Sequence, residues 1–267
     1  MVSTELVLVL LALFAVASLY SSVGLGGASG YLAVLSMTTF AASESIWLKQ
    51  YAWSLNLIVA GIAFWHYHKS GHHVRDLSLP FISASVPMAA LGGFMLVEGV
   101  VYDALLSLAF IVAAWRLLSG DAGVGEAVRP SATKAAVVGG GIGLASGVIG
   151  LGGGIFLLPA LMLGRWAKAK EAAATTALFV WLNSLAGLAG AGVAGRLDLD
   201  PSLLITFGIT VLAGGLIGSR YGSTSSSQKG VRGILVTVLI LAATRRACLL
   251  YTSDAADEGL GVDLGGR

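Results

Sequence analysis

Ile149-Gly150-Leu151-Gly152-Gly153-Gly154 breaks an apolar run of membrane length, and Val23-Gly24-Leu25-Gly26-Gly27-Ala28 does the same about 126 residues earlier. A glycine break in corresponding places of two apolar halves is a sequence mark of a transporter binding site. The chain around these breaks is 56% hydrophobic and 11% charged, with a mean hydropathy of +0.86. A soluble domain carries roughly 25% charged residues. This chain has too little polar surface to face water, so its solvent is expected to be lipid.

Working outward, the apolar stretches before the middle of the chain run at about 5–22, 26–41, 46–65, 77–97 and 101–118. A polar segment follows at 119–133, broken by Arg129-Pro130. The stretches then resume at about 135–149, 152–164, 172–194, 201–218 and 231–243. Shifted by about 126 residues, Gly24, Gly26 and Gly27 fall on Gly150, Gly152 and Gly153, and Gly92 falls on Gly218. With a one-residue slip, Glu44 falls on Glu171 and Asn56 on Asn183. The division is therefore a first repeat at 1–118, a linker at 119–133, a second repeat at 134–244, and a tail.

Loop charge orients the spans. If each glycine-broken opening stretch is a hairpin, one side collects Lys69, Arg75, Arg116, Arg129, Lys134, Arg165, Lys168, Lys170, Arg220, Lys229 and Arg232. The other side keeps Lys49 and Arg196. If each opening stretch instead crosses once, the charges divide almost evenly. The positive-inside rule selects the hairpins, with the N-terminus outside and the basic loops in the cytoplasm. Each half then crosses an odd number of times. The expected fold is an all-α, multi-pass bundle of two inverted-topology repeats, each opening with a Gly-broken hairpin.

A broken helix in lipid exposes backbone groups that must be satisfied by protein or by a wet cavity. The helix restarting after each break aims free N–H groups and the positive end of its dipole at the break. Two such starts facing each other would hold a small anion. The candidate substrate-binding residues are Gly24, Gly26, Gly27, Asn56, Gly150, Gly152, Gly153, Thr176 and Asn183. Amide and hydroxyl side chains add donors without charge. Thr175 could supply a hydroxyl donor beside Thr176, and Ser29 and Ser184 are weaker candidates of the same kind. The bland alternatives are close helix packing for the glycines and helix–helix hydrogen bonds for the Asn and Thr side chains.

The second break continues as Gly150-Leu151-Gly152-Gly153-Gly154-Ile155-Phe156-Leu157-Leu158-Pro159-Ala160-Leu161, which resembles the signature of the sulfite exporter TauE/SafE family. Lys170-Glu171-Ala172-Ala173-Ala174-Thr175-Thr176-Ala177-Leu178 resembles that family's next block. The resemblance covers roughly residues 5–243. It implies movement of small sulfur or carboxylate anions, such as sulfite and sulfonates, across a bacterial inner membrane. The first copy departs from the pattern, with Ala33 in place of Pro159, Ala28 in place of Gly154, and Lys49 and Gln50 in place of the Thr pair.

Lys49 is expected to snorkel at the interface, with drawing anions inward as its second reading. Glu44, Glu171, Asp103 and Asp198 lie at segment ends, so no buried carboxylate relay is visible. Trp47, Trp65, Trp115 and Trp166 read as interfacial anchors, while Trp53 and Trp181 are internal. His66, His68, His72 and His73 form a dense group. They are read as a cationic loop, with a transition-metal transporter as the runner-up function and a non-transporting scaffold behind it. No HExxH pair or triad falls within a span, so no catalytic residue, cofactor or metal is assigned. The expected partners are a small anion and the bilayer, with no nucleic acid. Cys248 is the only cysteine, which excludes an internal disulfide. Leu6 to Tyr20 lacks a signal-peptide pattern and reads as a retained span. Residues from about 245 resemble adapter read-through and are expected to be a non-native or disordered tail.

Overall fold

The computed structural model describes residues 4–38, 40, 45–119 and 127–224. The expected last span at 231–243, the tail with Cys248, Glu44, Lys229, Arg232 and half of the linker lie outside the described residues, as do the side chains of Asp103 and Arg116. The rest is helical. The first half holds α1 (Thr4–Ser21), α2 (Ala28–Ser36), α3 (Ser45–Lys69), α4 (Arg75–Phe94) and α5 (Gly99–Ser119). The second holds α6 (Ala132–Ile149), α7 (Gly154–Leu163), α8 (Ala169–Val193) and α9 (Pro201–Thr224).

Helices α1, α4, α6, α8 and α9 are long and apolar enough to cross a membrane. Their exposed side chains, including Leu8, Leu11, Leu79, Val137, Val193, Ile205, Ile209 and Ile217, are those that lipid solvates. The 25-residue α3 is more polar, and its polar residues face inward: Ser45, Lys49, Gln50, Ser54 and Asn56 are all buried. A polar helix survives in lipid only when protein surrounds it, so α3 forms the centre of the bundle. It also runs farther than its apolar stretch, to Lys69, so His66 and His68 are helical and only His72 and His73 lie in the turn that follows.

The hairpin arms are unequal. Helices α1 and α6 have 18 residues each, about 27 Å at 1.5 Å per residue. Helices α2 and α7 have 9 and 10 residues, about half that length. The first arm of each hairpin thus approaches a full crossing, and the second returns only part way.

Packing in one half is repeated in the other. Helix α4 lies along α6 and α9 along α1, while α2 sits on α3 as α7 sits on α8. Both long pairs are parallel and glycine-lined. Gly139, Gly143 and Gly147 of α6 face the carbonyls of Phe81, Ser85 and Ala89 of α4. Gly214, Gly218 and Gly222 of α9 face those of Phe14, Ser18 and Ser22 of α1. A spacing of four keeps each stripe on one helix face, and the missing side chains let the backbones touch. Helices α3 and α8 cross antiparallel at the centre, with Trp53 against Gly187 and Trp181 against Gly61.

Local chemistry sets the ends. The Ser131 hydroxyl accepts from the Lys134 amide at 3.3 Å and caps α6. Asp200 Oδ1 accepts from Ser202 and Leu203 amides at 2.7 and 3.2 Å, with Pro201 in the first position of α9. Gln50 grips the backbone of Asp198 in both directions, at 2.7 and 2.8 Å, which ties the α8–α9 turn to the start of α3.

The glycine stripes yield a matched pair of variants. Gly143→Val drives a side chain into the Ser85 carbonyl, whereas Gly141 on the same helix is exposed and has nothing within 4 Å of a new Cβ. Thermal unfolding in detergent is expected to show Gly143→Val destabilised by about 1–3 kcal/mol or more and Gly141→Val unchanged or slightly stabilised.

Candidate functional site

The two breaks are sharp turns that need glycine. In the first, the chain leaves α1 at Ser21 and turns with Gly24 at φ 77° and Gly27 at φ 105°. In the second, Gly150, Gly152 and Gly153 take φ 92°, 69° and 83°. These are left-handed values that a Cβ resists. The carbonyls left open at the end of each first arm find side-chain donors. Tyr67 Oη donates to Ser22 O at 2.8 Å and Tyr102 Oη donates to Ile149 O at 3.1 Å.

The amides at the restarting helices are differently placed. Gly27 and Gly153 occupy the cap positions of α2 and α7, and neither helix has a side-chain cap there. The Ala28 amide donates to Asn56 Oδ1 at 3.0 Å. The amides of Gly26 and Gly27, and those of Gly152, Gly153 and Gly154, have no hydrogen-bond partner among the described residues. Two helix N-termini therefore carry free donors and positive dipole ends.

Asn56 joins the breaks. Its Nδ2 donates to Ser184 Oγ of α8 at 3.1 Å while Oδ1 holds Ala28. Gly26 packs on Asn56 Oδ1, and a methyl group at Gly152 would lie 2.5 Å from Asn56 Nδ2. Both glycines also rest on the same Val180 methyl, and Leu25 of the first break lies over Gly154 of the second. The two turns thus meet at one buried point, between α3 and α8.

Of the remaining candidates, Thr176 packs against Gly154, and its buried Oγ1 has no partner among the described residues. Asn183 is fully buried, and among the described residues neither its Oδ1 nor its Nδ2 is paired, whereas Asn56 makes two bonds. Thr176, Val180, Asn183 and Ser184 share the α8 face with spacings of three, four and seven. Gly24 and Gly150 lie farther out: Gly24 abuts the Ala173 backbone and Gly150 abuts Lys49. Thr175 is occupied by Ser78 of α4 at 3.1 Å, and Ser29 donates to Tyr20 Oη at 3.0 Å.

One expectation fails outright. Lys49 does not snorkel; it is 0% exposed. Its Nζ donates to Val148 O at 3.4 Å and lies 5.2 Å from the Tyr102 ring centre. The position sits one turn into α3, where a boundary reading puts it at an interface, but α6 and α5 cover it. The tyrosines also went unread. Tyr31 Oη donates to Gly26 O at 2.8 Å and braces the first turn from within α2. A tyrosine inside an apolar run is the one signal that pointed to them, because a buried hydroxyl must find a partner.

The histidines divide: His68 and His73 keep their rings 5.4 Å apart, while His66 turns to α9. His66 Nδ1 pairs with Ser219 Oγ of α9 at 2.8 Å, and His73 Nε2 with Ser78 Oγ at 3.1 Å. Burial, with His68 and Arg75 nearby, holds the His73 imidazole below its ordinary range. No three His, Cys, Asp or Glu side chains among the described residues are grouped to hold a metal. A cavity of about 450 Å³ opens beside α6 and α7, lined by Val138, Phe156, Pro159 and Trp166 among others. Its walls are apolar and it lies off the glycine turns, so the turns are the better candidate.

The chain is 33% identical over 247 residues to the probable membrane transporter protein y4hK of Sinorhizobium fredii, covering 91% of this chain and 98% of the relative. No solved structure matches it. The profile described as sulfite exporter TauE/SafE matches residues 9–246, through both glycine turns and the helices that hold them. The chain belongs to the sulfite exporter TauE/SafE family of membrane transporters.

Proposed function

We propose that this protein is a secondary transporter of small sulfur-containing or organic anions in a cell inner membrane. It works by alternating access between two inverted-topology repeats. The observation that carries the reading is the convergence of the glycine turns before α2 and α7, which carry backbone amides without a partner among the described residues, on Asn56 in a fully buried centre. Free backbone donors and dipole ends stabilise negative charge, and burial in low dielectric strengthens them. Gly26, Gly27, Gly152 and Gly153 supply the backbone donors. Asn56, Asn183 and Thr176 supply side-chain donors suited to sulfonate or sulfite oxygens.

The inverted plan draws support from the packing. The repeat mates α3 and α8 run antiparallel, and the α4–α6 contact recurs as α9–α1. Two packed units of opposite direction around one site can rock against each other and open it to each side in turn. In this reading Gly24 and Gly150, at left-handed φ and against neighbouring backbone or stem atoms, fix the hairpin shape and do not touch the anion.

The first test is thermal stability of the detergent-purified protein against sulfite, thiosulfate, taurine, sulfoacetate, sulfate, acetate and nickel. An anion at 100 times its dissociation constant stabilises by about 2.7 kcal/mol. Asn183→Leu sharpens the test. Removing an unpaired buried amide is expected to leave the ligand-free protein as stable or more so, by about 1–3 kcal/mol, while the anion response falls. Asn56→Leu is expected to lower both, because it breaks two bonds. A full anion response in Asn183→Leu removes Asn183 from the site, and a response to nickel alone overturns the anion reading.

Orientation has its own test. In a Cys248→Ser background, Ser70→Cys in the α3–α4 turn and Asp198→Cys in the α8–α9 turn are both exposed. A membrane-impermeant thiol reagent applied to intact cells is expected to label position 198 and not 70. The reverse pattern would place the N-terminus in the cytoplasm.

A further inference from the structure

Lys49 is a fully buried cation with no carboxylate within 4.0 Å of its Nζ among the described residues. Its stem packs on Gly150 at the start of the second turn. Its ammonium is held by one long bond to the Val148 carbonyl and by the Tyr102 ring. The carbonyl belongs to the C-terminal end of α6, where the helix dipole favours a cation. That contact offsets only part of the cost of burying a charge. The charged groups that act on Lys49 from farther away are Glu98 and Arg196, of opposite sign.

The position is not isolated. Lys49, Trp53 and Asn56 recur at spacings of four and three, which places them on one face of α3. Trp53 is fully buried, and its indole N–H has no partner among the described residues. Asn56, two turns or about 10 Å along the axis from Lys49, is the residue at which the glycine turns meet. A row of donors thus runs from a buried ammonium, past an orphan indole N–H, to the central amide. The first half alone carries it. In the second half the residue packed on Gly24, as Lys49 packs on Gly150, is Ala173.

We propose that Lys49 is the counter-charge of the transported anion: a substrate-binding station between the α3 start and the glycine turns, which passes the anion along the Trp53–Asn56 face. On arrival of the anion, the ammonium exchanges its long bond to Val148 O for an ion pair. The backbone donors of the turns supply partial charges only, whereas Lys49 supplies a full one, so it sets the preference for doubly over singly charged substrates. The inference rests on the anion-transport reading above.

The test compares wild type, Lys49→Met and Lys49→Arg, reading ligand-induced stabilisation and dissociation constants for thiosulfate, a dianion, and methanesulfonate, a monoanion. Met keeps the stem against Gly150 and removes the charge. Lys49→Met is expected to weaken thiosulfate more than methanesulfonate, by roughly tenfold or more in the ratio of the two constants. Lys49→Arg is expected to retain most of the dianion preference. A residue that only caps α6 would change ligand-free stability and leave the ratio alone. An unchanged ratio in Lys49→Met, with wild type responding to anions, overturns this inference and leaves the transport reading standing. If Lys49→Met does not fold, Lys49→Arg decides, and loss of the dianion preference there overturns the counter-charge role. Silence of the wild type toward every anion overturns both readings.

Discussion

The side-chain amide of Asn56 is the contact on which the rest of the arrangement depends. One end accepts the first free amide of α2 and the other donates to α8. A hairpin broken in lipid leaves backbone donors that nothing in the bilayer can satisfy, each costing several kcal/mol. Asn56 satisfies one of them and links the first half to the second in the same act. The turns can approach that amide only because Gly26 and Gly152 have no side chains to displace it. The residue that stabilises the broken helix is thus also the one that fixes where two helix starts meet.

Glycine serves two separate purposes here, and the distinction organises the fold. At Gly27, Gly150, Gly152 and Gly153 it permits a left-handed backbone. In α6 and α9 it is helical and permits contact, since the stripes at 139, 143, 147 and at 214, 218, 222 let parallel helices touch along their length. Lipid tails offer no hydrophobic drive for helix association, so close van der Waals packing must supply it. The long packed pairs hold the outer arms still. The short arms α2 and α7 are then free to be defined by their own N-termini and by the central helices.

The helices and the two breaks were legible in the sequence because each leaves a local mark, while the approach of Gly26 and Gly152 to Asn56 was no more than an expectation there. Apolar runs mark spans, glycine clusters mark turns, and an amide in an apolar run marks a buried bond. The unequal hairpin arms were not legible, since a break shows where a helix stops but not how far the flanking chain stays helical. Lys49 was misread for a related reason. Its place near the start of an apolar run places it at an interface in one dimension, while its burial is set by α5 and α6, which come tens of residues later. The glycine stripes could be seen as spacing, but not which helices they face. Thr175 and Thr176 look interchangeable in sequence. Their separation, one to Ser78 and one to the turns, follows from the 100° that adjacent residues differ around a helix.

The halves match in their packing but not in their chemistry, and the mismatch is where function is to be sought. Asn56 is bonded at both ends, while Asn183 is bonded at neither. The first hairpin glycine, Gly24, packs on Ala173, where its counterpart Gly150 packs on Lys49. A protein under selection for stability alone has no reason to bury an unpaired amide, an unpaired threonine hydroxyl and an ammonium without a carboxylate. Each of these groups is costly in the absence of a ligand, and on the proposed reading a passing oxyanion would pair with each in turn. On the proposed inverted plan, opposite sides of the membrane are served by equivalent backbone and by inequivalent side chains. The backbone makes the site reachable from both sides. The unequal side chains would let the two access states bind the anion with different strength, and that difference is the only means by which the bound anion can shift the balance between them.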